Sequence, residues 1–299
     1  MSDHSRRQPP SGTHEIVIDG VRQVYHVAGD GPVMVAHSGG PGVYYEYLRS
    51  PELERHFTMV YVEPVGTGDS GRLPDPAAYG LGVYVRFLAG LITHLGAGPV
   101  LVLGHSYGGC VAQQLTLDHP ALVAGLVLYD STPVLDAQFV QAAFDAAAAY
   151  PRRFPDQREA VAVAEAFLGG APVDDESATA RTRAVTPLYF ADYWSHRSEL
   201  AARLAHHRSF FAPGRARDAR SFDARRRLAE ITAPTVVIVG LHDFICGPRW
   251  AAALHEGIRG SRLALLEKSG HFGHLEEPEA FVTAVRSVLT SVGPEKSHG

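Results

Sequence analysis

Eight short apolar, β-branched runs punctuate the chain, at 15–18, 21–27, 33–37, 58–62, 100–104, 123–129, 235–240 and 263–266. Runs of this kind read as strands. The later ones are continuously apolar, the pattern of parallel strands covered on both faces. Stretches with helical spacing separate them, at 84–95, 107–119, 249–258 and 278–289. Strand–helix alternation predicts an α/β fold with a mostly parallel, eight-stranded sheet. Asp19-Gly20, between the first two runs, is a hairpin signal, so the sheet is expected to start antiparallel.

The alternation breaks between 133 and 221. This stretch is rich in Ala and Arg and carries no strand-like run. Segments 138–150, 158–168 and 195–207 have helical character, and Gly169, Gly170, Pro172 and Pro187 punctuate them. The pattern predicts a helical lid (cap) at 133–221, inserted into a core made of 14–132 and 222–292. An ordinary series of surface helices is the alternative. Residues 1–13 and 293–299 have the composition of frayed tails.

Composition narrows the function. The 299 residues are 45% hydrophobic and 20% charged, which excludes intrinsic disorder over most of the chain. A formal net charge of −5 argues against a nucleic-acid partner. No apolar run reaches membrane-spanning length, and the N-terminus lacks a signal-peptide core, so no membrane partner and a cytoplasmic location are expected. Two cysteines, Cys110 and Cys246, make neither a disulfide framework nor a metal-type spacing. Both are expected to be small buried residues. The arginines at 215, 217, 220 and 225–227 read as a solvated basic face, with contact to an acidic substrate as the sharper reading.

The chemistry concentrates after the fifth run. Gly104-His105-Ser106-Tyr107-Gly108 is a G-x-S-x-G pattern lying between an apolar strand and a helix. There the serine must sit on a sharp turn, and the glycines admit close helix–strand approach. A serine hydroxyl needs a base, and the base needs an orienting acid. Asp243 follows the seventh run and is the expected acid, with Asp130, after the sixth, as runner-up. His271 follows a glycine after the eighth run and is the expected base, with His274 as its competitor. His37, His105 and His242 are read as packing or hydrogen-bonding residues. The oxyanion donors are expected to be the Tyr107 N–H and the Gly40 N–H, with Gly39 competing.

These residues resemble the α/β-hydrolase superfamily, and most closely the proline iminopeptidase (prolyl aminopeptidase) group. Gly39-Gly40-Pro41-Gly42 is similar to that group's H-G-G-P-G loop, Gly104 to Gly109 to its elbow, Asp243 to its acid, and Ser269-Gly270-His271 to its histidine region. Two departures stand out. Ser38 occupies the loop-histidine position, and Glu63 to Ser70 keeps the glycines and serine of the group's D-Q-R-G-x-G-x-S stretch but not its acidic and arginine positions. The resemblance implies an α/β-hydrolase fold and a serine hydrolase cleaving an amide or ester of a small-molecule or short-peptide substrate through an acyl-enzyme, without metal or organic cofactor. Lactone or carbon–carbon bond hydrolysis, acyl transfer or cyclisation use the same triad. A non-catalytic ligand-binding protein is the alternative from another class. Tyr44, Tyr45 and Tyr47, with Tyr189, Phe190, Tyr193 and Trp194, are expected to shape the pocket or pack the lid. Glu159, Glu165, Asp192 and Glu199 are the acids available to hold a substrate ammonium.

Overall fold

Asp19 and Gly20 both adopt positive φ, 52° and 76°. That turn is tight enough for β1 (Gly12–Ile18) to pair antiparallel with β2 (Val21–Ala28). The computed structural model describes residues 8–211 and 222–291. The remaining strands are β3 (Val33–His37), β4 (Thr58–Val62), β5 (Val100–His105), β6 (Val123–Tyr129), β7 (Thr235–Gly240) and β8 (Arg262–Leu266). They complete one eight-stranded sheet in the order β1-β2-β4-β3-β5-β6-β7-β8. The β2–β4 pair is antiparallel and every pair from β4 to β8 is parallel.

Alternation along β5 explains the layers. Val100 and Val102 face one core, Leu101 and Leu103 the other. Helices α1 (Leu81–Leu95), α2 (Tyr107–Asp118) and, later in the chain, α7 (Pro248–Gly257) cover the first face through Leu88, Leu91, Val111, Leu115 and Leu254. Helix α8 (Pro278–Ser291) covers the second through Phe281, Val285 and Val288. Strands β5, β6 and β7 are therefore buried on both sides. β8 is not: it is an edge strand whose Leu263 and Leu265 stay 43% and 46% exposed, so its apolar run does not reflect double coverage.

Among the described residues, four α-helices lie between β6 and β7: α3 (Ala137–Arg153), α4 (Glu159–Leu168), α5 (Asp175–Val185) and α6 (Arg197–Arg203). Ala147, Tyr150, Ala160, Val163, Val185 and Leu188 give them a small cluster of their own. The sequence pattern misses α5, whose signal is a capping box in which Asp174 accepts the Ser177 N–H. It also makes α6 too long. The chain leaves that helix because residues 208–210 are drawn into backbone pairing with 42–44, with Tyr44 N–H on Arg208 C=O (2.9 Å) and Phe210 N–H on Gly42 C=O (2.8 Å). The expected N-terminal tail is shorter than 1–13. β1 begins at Gly12, and the Gln8 side chain bonds Gly31 C=O and the Thr58 hydroxyl, both at 2.9 Å. No helix among the described residues is long and apolar enough to cross a membrane.

Candidate active site

Ser106 joins β5 to α2 with φ 55° and ψ −122°. Such a backbone costs a non-glycine residue about 1–3 kcal/mol and persists only where its surroundings dictate it. Here Ser106 N–H donates to Tyr129 C=O on β6 (2.9 Å), and Ser106 C=O accepts from the Ser131 hydroxyl (2.9 Å). A side chain at Gly104 would overlap the Gly108 carbonyl, and one at Gly108 would overlap the His37 carbonyl. Close approach, rather than dihedral freedom, therefore fixes both glycines.

Asp243 and His271 meet above β7 and β8. His271 Nδ1 lies 2.7 Å from Asp243 Oδ2, with the two side chains essentially buried. The other Asp243 oxygen accepts the N–H groups of Ile245 (2.9 Å) and Cys246 (3.1 Å). The His271 backbone is held at both ends. Its N–H donates to Tyr189 C=O (2.6 Å), and its C=O accepts from His105 Nε2 (3.0 Å). Ser106 and His271 line the same cavity. The Ser106 hydroxyl is half-buried and makes no hydrogen bond to His271 among the described residues. Such contacts commonly tighten only when substrate is present.

His105 fixes a second chain of bonds. Its Nε2 donates to the His271 carbonyl, so its Nδ1 accepts, and the donor is the Tyr47 hydroxyl at 2.6 Å. The Tyr47 oxygen in turn accepts the Gly39 N–H (2.8 Å). Gly39 is thereby engaged. Gly40, with φ 119°, lines the cavity beside Gly39. Tyr107 stands at the first position of α2, next to Ser106. Burial, with His271 and His274 nearby, holds the His105 pKa well below its ordinary value. The ring is neutral, as this bonding requires.

The competing histidines have structural work. His274 Nε2 donates to Tyr47 C=O (2.7 Å), while Nδ1 accepts from the Tyr129 hydroxyl (3.0 Å). Burial lowers its pKa to about 4. His37 Nδ1 bonds Ser38 C=O (2.9 Å), and burial lowers this pKa to about 4 as well. His242 is exposed.

The cavity measures about 540 Å³. Phe167, Val185, Tyr189, Phe210, Ile245 and Phe272 supply apolar wall, and Arg181, Thr182, His207 and Ser209 the polar spots. Of the seven aromatic residues expected to shape the pocket or pack the lid, Tyr47 and Tyr189 reach it. Tyr44 and Tyr45 belong to a network beneath the oxyanion loop. Glu63 Oε1 pairs with His26 (2.7 Å) and the Tyr44 hydroxyl (3.3 Å), His26 stacks on Tyr45 at 4.3 Å, and Arg208 lies over Tyr44 at 4.3 Å. The Glu63 Oε2 accepts Asp69 and Ser70 N–H groups, so the altered loop still braces itself. Tyr193 and Trp194 pack within the helical insertion, against Phe190 and Arg197.

None of the four acids considered for a substrate ammonium lines the cavity. Glu159 pairs with Arg197 (3.0 Å) and Glu199 with Arg203 (3.4 Å), Asp192 accepts the Ser195 N–H (3.2 Å), and Glu165 is exposed. Arg225 and Arg227 are taken up by Asp136, Asp223, Asp118 and Glu230 at the surface. Arg215, Arg217 and Arg220 lie outside the described residues. Cys110 and Cys246 are buried free thiols.

Sequence reasoning missed Glu276. Its Oε1 accepts the Ala191 N–H (2.8 Å) and its Oε2 the Gly270 N–H (2.7 Å). One carboxylate thus fastens the helical insertion to the residue before His271. The only signal in the sequence is an acid five residues after that histidine. Phe272, Phe210 and Arg181 were equally invisible, because the cavity is lined from segments distant in the chain.

A doubly covered α/β sheet with a serine elbow, and an Asp–His pair at the same rim, is the architecture of a hydrolase. The chain belongs to the alpha/beta hydrolase fold family, whose model matches residues 32–278. It is 28% identical over 288 residues to the 2-hydroxymuconate semialdehyde hydrolase of Pseudomonas sp. strain CF600, covering 94% of each chain. It is 27% identical over 271 residues to RutD of Cronobacter sakazakii, covering 88% of this chain and 91% of that one. Among solved structures, a thermophilic esterase from Thermogutta terrifontis superposes with a TM-score of 0.72 at 21% identity, covering 95% of this chain and all (100%) of that one.

Proposed function

We propose that the protein is a serine hydrolase that opens an ester or amide bond of a small, largely apolar substrate through an acyl-enzyme. The observation that carries this reading is the 2.7 Å Asp243–His271 bond at the cavity that Ser106 enters on its strained turn. His271 Nε2 takes the Ser106 proton as the oxygen attacks the substrate carbonyl. Asp243 keeps the Nδ1 proton in place and balances the imidazolium. The Tyr107 and Gly40 N–H groups receive the oxyanion; each such donor is worth about 100- to 1000-fold in rate. The leaving group departs with the proton from His271, and water then reverses the sequence to free the acid. The helical insertion acts as the lid, supplying Phe167, Arg181 and Tyr189 to the wall.

Specificity for an amino-terminal proline is the weaker form of this reading. Such a substrate brings an ammonium, and among the described residues the lining contains no carboxylate. Arg181, bonded to Ala166 and Phe167 carbonyls, suits a substrate with an electron-rich or anionic end. That fits carbon–carbon bond hydrolysis, the second reading, which the 28% identity to a 2-hydroxymuconate semialdehyde hydrolase also supports.

Fluorophosphonate labelling is the decisive experiment. The wild-type protein is expected to label at Ser106 and S106A to remain unlabelled; a folded wild type that does not label returns the fold to a binding role. A panel of p-nitrophenyl esters, proline arylamide and a vinylogous diketone then separates the bond types. Turnover of the arylamide above the esters would restore the aminopeptidase reading.

A further inference from the structure

Strands β6 and β7 are parallel neighbours, paired from Leu126–Thr235 to Tyr129–Ile238. Each is followed by an aspartate at the active-site rim. Asp243 serves His271 as described, and Asp130 has no place in that scheme. It is fully buried, with a backbone φ of 44°. Its Oδ1 accepts the Gly240 N–H at 2.8 Å, bracing β6 to β7, while Oδ2 has no hydrogen-bond partner. A buried acceptor left unpaired costs about 1–3 kcal/mol. An asparagine or serine could brace Gly240 without burying a titratable carboxyl.

The position of that carboxyl gives it a chemical role. One Asp130 oxygen lies within 4.8 Å of a ring nitrogen of His271 and of one of His105. The titratable groups facing it are Asp243, Glu276, Tyr129, Tyr47, Cys246, His271 and the neutral His105. Two carboxylates cannot both ionise cheaply beside one imidazole in a dry site. Burial first, and the Asp243 charge second, hold the Asp130 pKa well above the ordinary carboxyl range. So placed, the Asp130 carboxyl favours its neutral form.

We propose that Asp130 is a reserve acid for His271, a positioning residue that orients and charge-balances the imidazole once the Asp243 carboxylate is gone. The inference rests on the serine-hydrolase reading above. Removing the Asp243 side chain removes the second of the two causes that keep Asp130 protonated, the imidazolium forming at His271 offsets the first, burial, and the vacated space lets the Asp130 oxygen reach the ring directly or by one water. Proton balance is unchanged. Ser106 still gives its proton to Nε2, and the Nδ1 proton then faces Asp130 in place of Asp243.

The test is a two-by-two comparison of wild type, D130N, D243A and D130N/D243A, read as the rate of fluorophosphonate labelling at Ser106 and as p-nitrophenyl butyrate hydrolysis across pH. D243A is expected to lose about 100-fold, well short of the roughly 10⁴-fold that follows when a triad acid is lost without replacement. D130N, whose amide oxygen still accepts from Gly240, should cost only a few-fold by itself. Added to D243A, it should cost at least about 100-fold more, a non-additivity that marks two residues acting on one partner. Equal cost of D130N in both backgrounds, or D243A as inactive as the double variant, would leave Asp130 a strand brace and overturn the proposal. D243S repeats the comparison with an acceptor kept for Ile245 and Cys246, should D243A not fold. Wild type that fails to label rejects the serine reading itself, a result distinct from any pattern among the acid variants.

Discussion

The sheet and the helical insertion are built to different standards. Around the sheet, α1, α2 and α8 press long apolar side chains onto strands with no exposed face, and Leu91, Leu115 and Val285 are wholly buried. The insertion holds together on a cluster dominated by alanines and valines, and Val161, Leu168 and Val173 on its outside are 51%, 43% and 74% exposed. The chemistry follows the same division. Ser106, Asp243 and His271 all rise from strand ends, whereas the insertion contributes cavity wall and two backbone ties, Tyr189 C=O and Ala191 N–H. A densely packed layer thus carries the proposed reacting groups, and a looser one shapes the space above them. Domains with few buried apolar contacts open more readily than those with many.

The comparison can be broken most severely at the strand ends. S106A should reduce turnover by about 10⁴-fold or more while leaving the thermal midpoint within a few degrees of wild type; a large stability loss would mean that the elbow serine is structural. Next in size, Leu91→Ala beneath the sheet should cost about 2–5 kcal/mol in urea unfolding, and Val163→Ala in the insertion under about 2 kcal/mol, because the looser cluster can collapse around the gap. Similar costs at the two sites would erase the distinction between the layers.

Tyr47→Phe breaks the chain Gly39–Tyr47–His105 while leaving the ring contacts in place. It should lower kcat by about tenfold or more with little change in KM, since two buried polar groups lose a partner worth about 1–3 kcal/mol. A change confined to KM would place Tyr47 in substrate binding instead. Stability should also depend on pH. His37 and His274 stay neutral in the folded protein down to about pH 4. The unfolded chain takes those protons near pH 6.5. Stability should therefore fall as pH drops from about 6.5 towards 4, by about 1.4 kcal/mol per pH unit for each histidine. Denaturation midpoints at pH 7.5, 5.5 and 4.5 measure the slope, and H274Q should reduce it.

The part of the molecule legible in the sequence was the densely packed layer. The central strands were visible because a doubly covered strand has little choice but to be apolar, the edge strands β1 and β8 through their β-branched or apolar runs alone, and Gly104, Ser106, Asp243 and His271 stood at strand ends where such sites form. The insertion was legible only as an interruption. Its α5 was hidden because Asp175–Val185 exposes most of its surface and has little apolar periodicity to read. Tyr44, Tyr45, Tyr193 and Trp194 looked like pocket aromatics and are packing residues, because an aromatic near a site in sequence carries no record of which way it faces. The Glu276 tie to Ala191 and the Tyr47–His105 bond depend on meetings between segments 85 and 58 residues apart, which no local pattern encodes.

Glu276 has one further consequence. Since the same carboxylate grips Ala191 and Gly270, and Tyr189 grips residue 271 itself, a guest bulky enough to lift residues 189–191 must also tug the loop that bears the imidazole. Oversized molecules would then misalign the base as they enter, and the enzyme would screen its guests by girth before any bond is attacked.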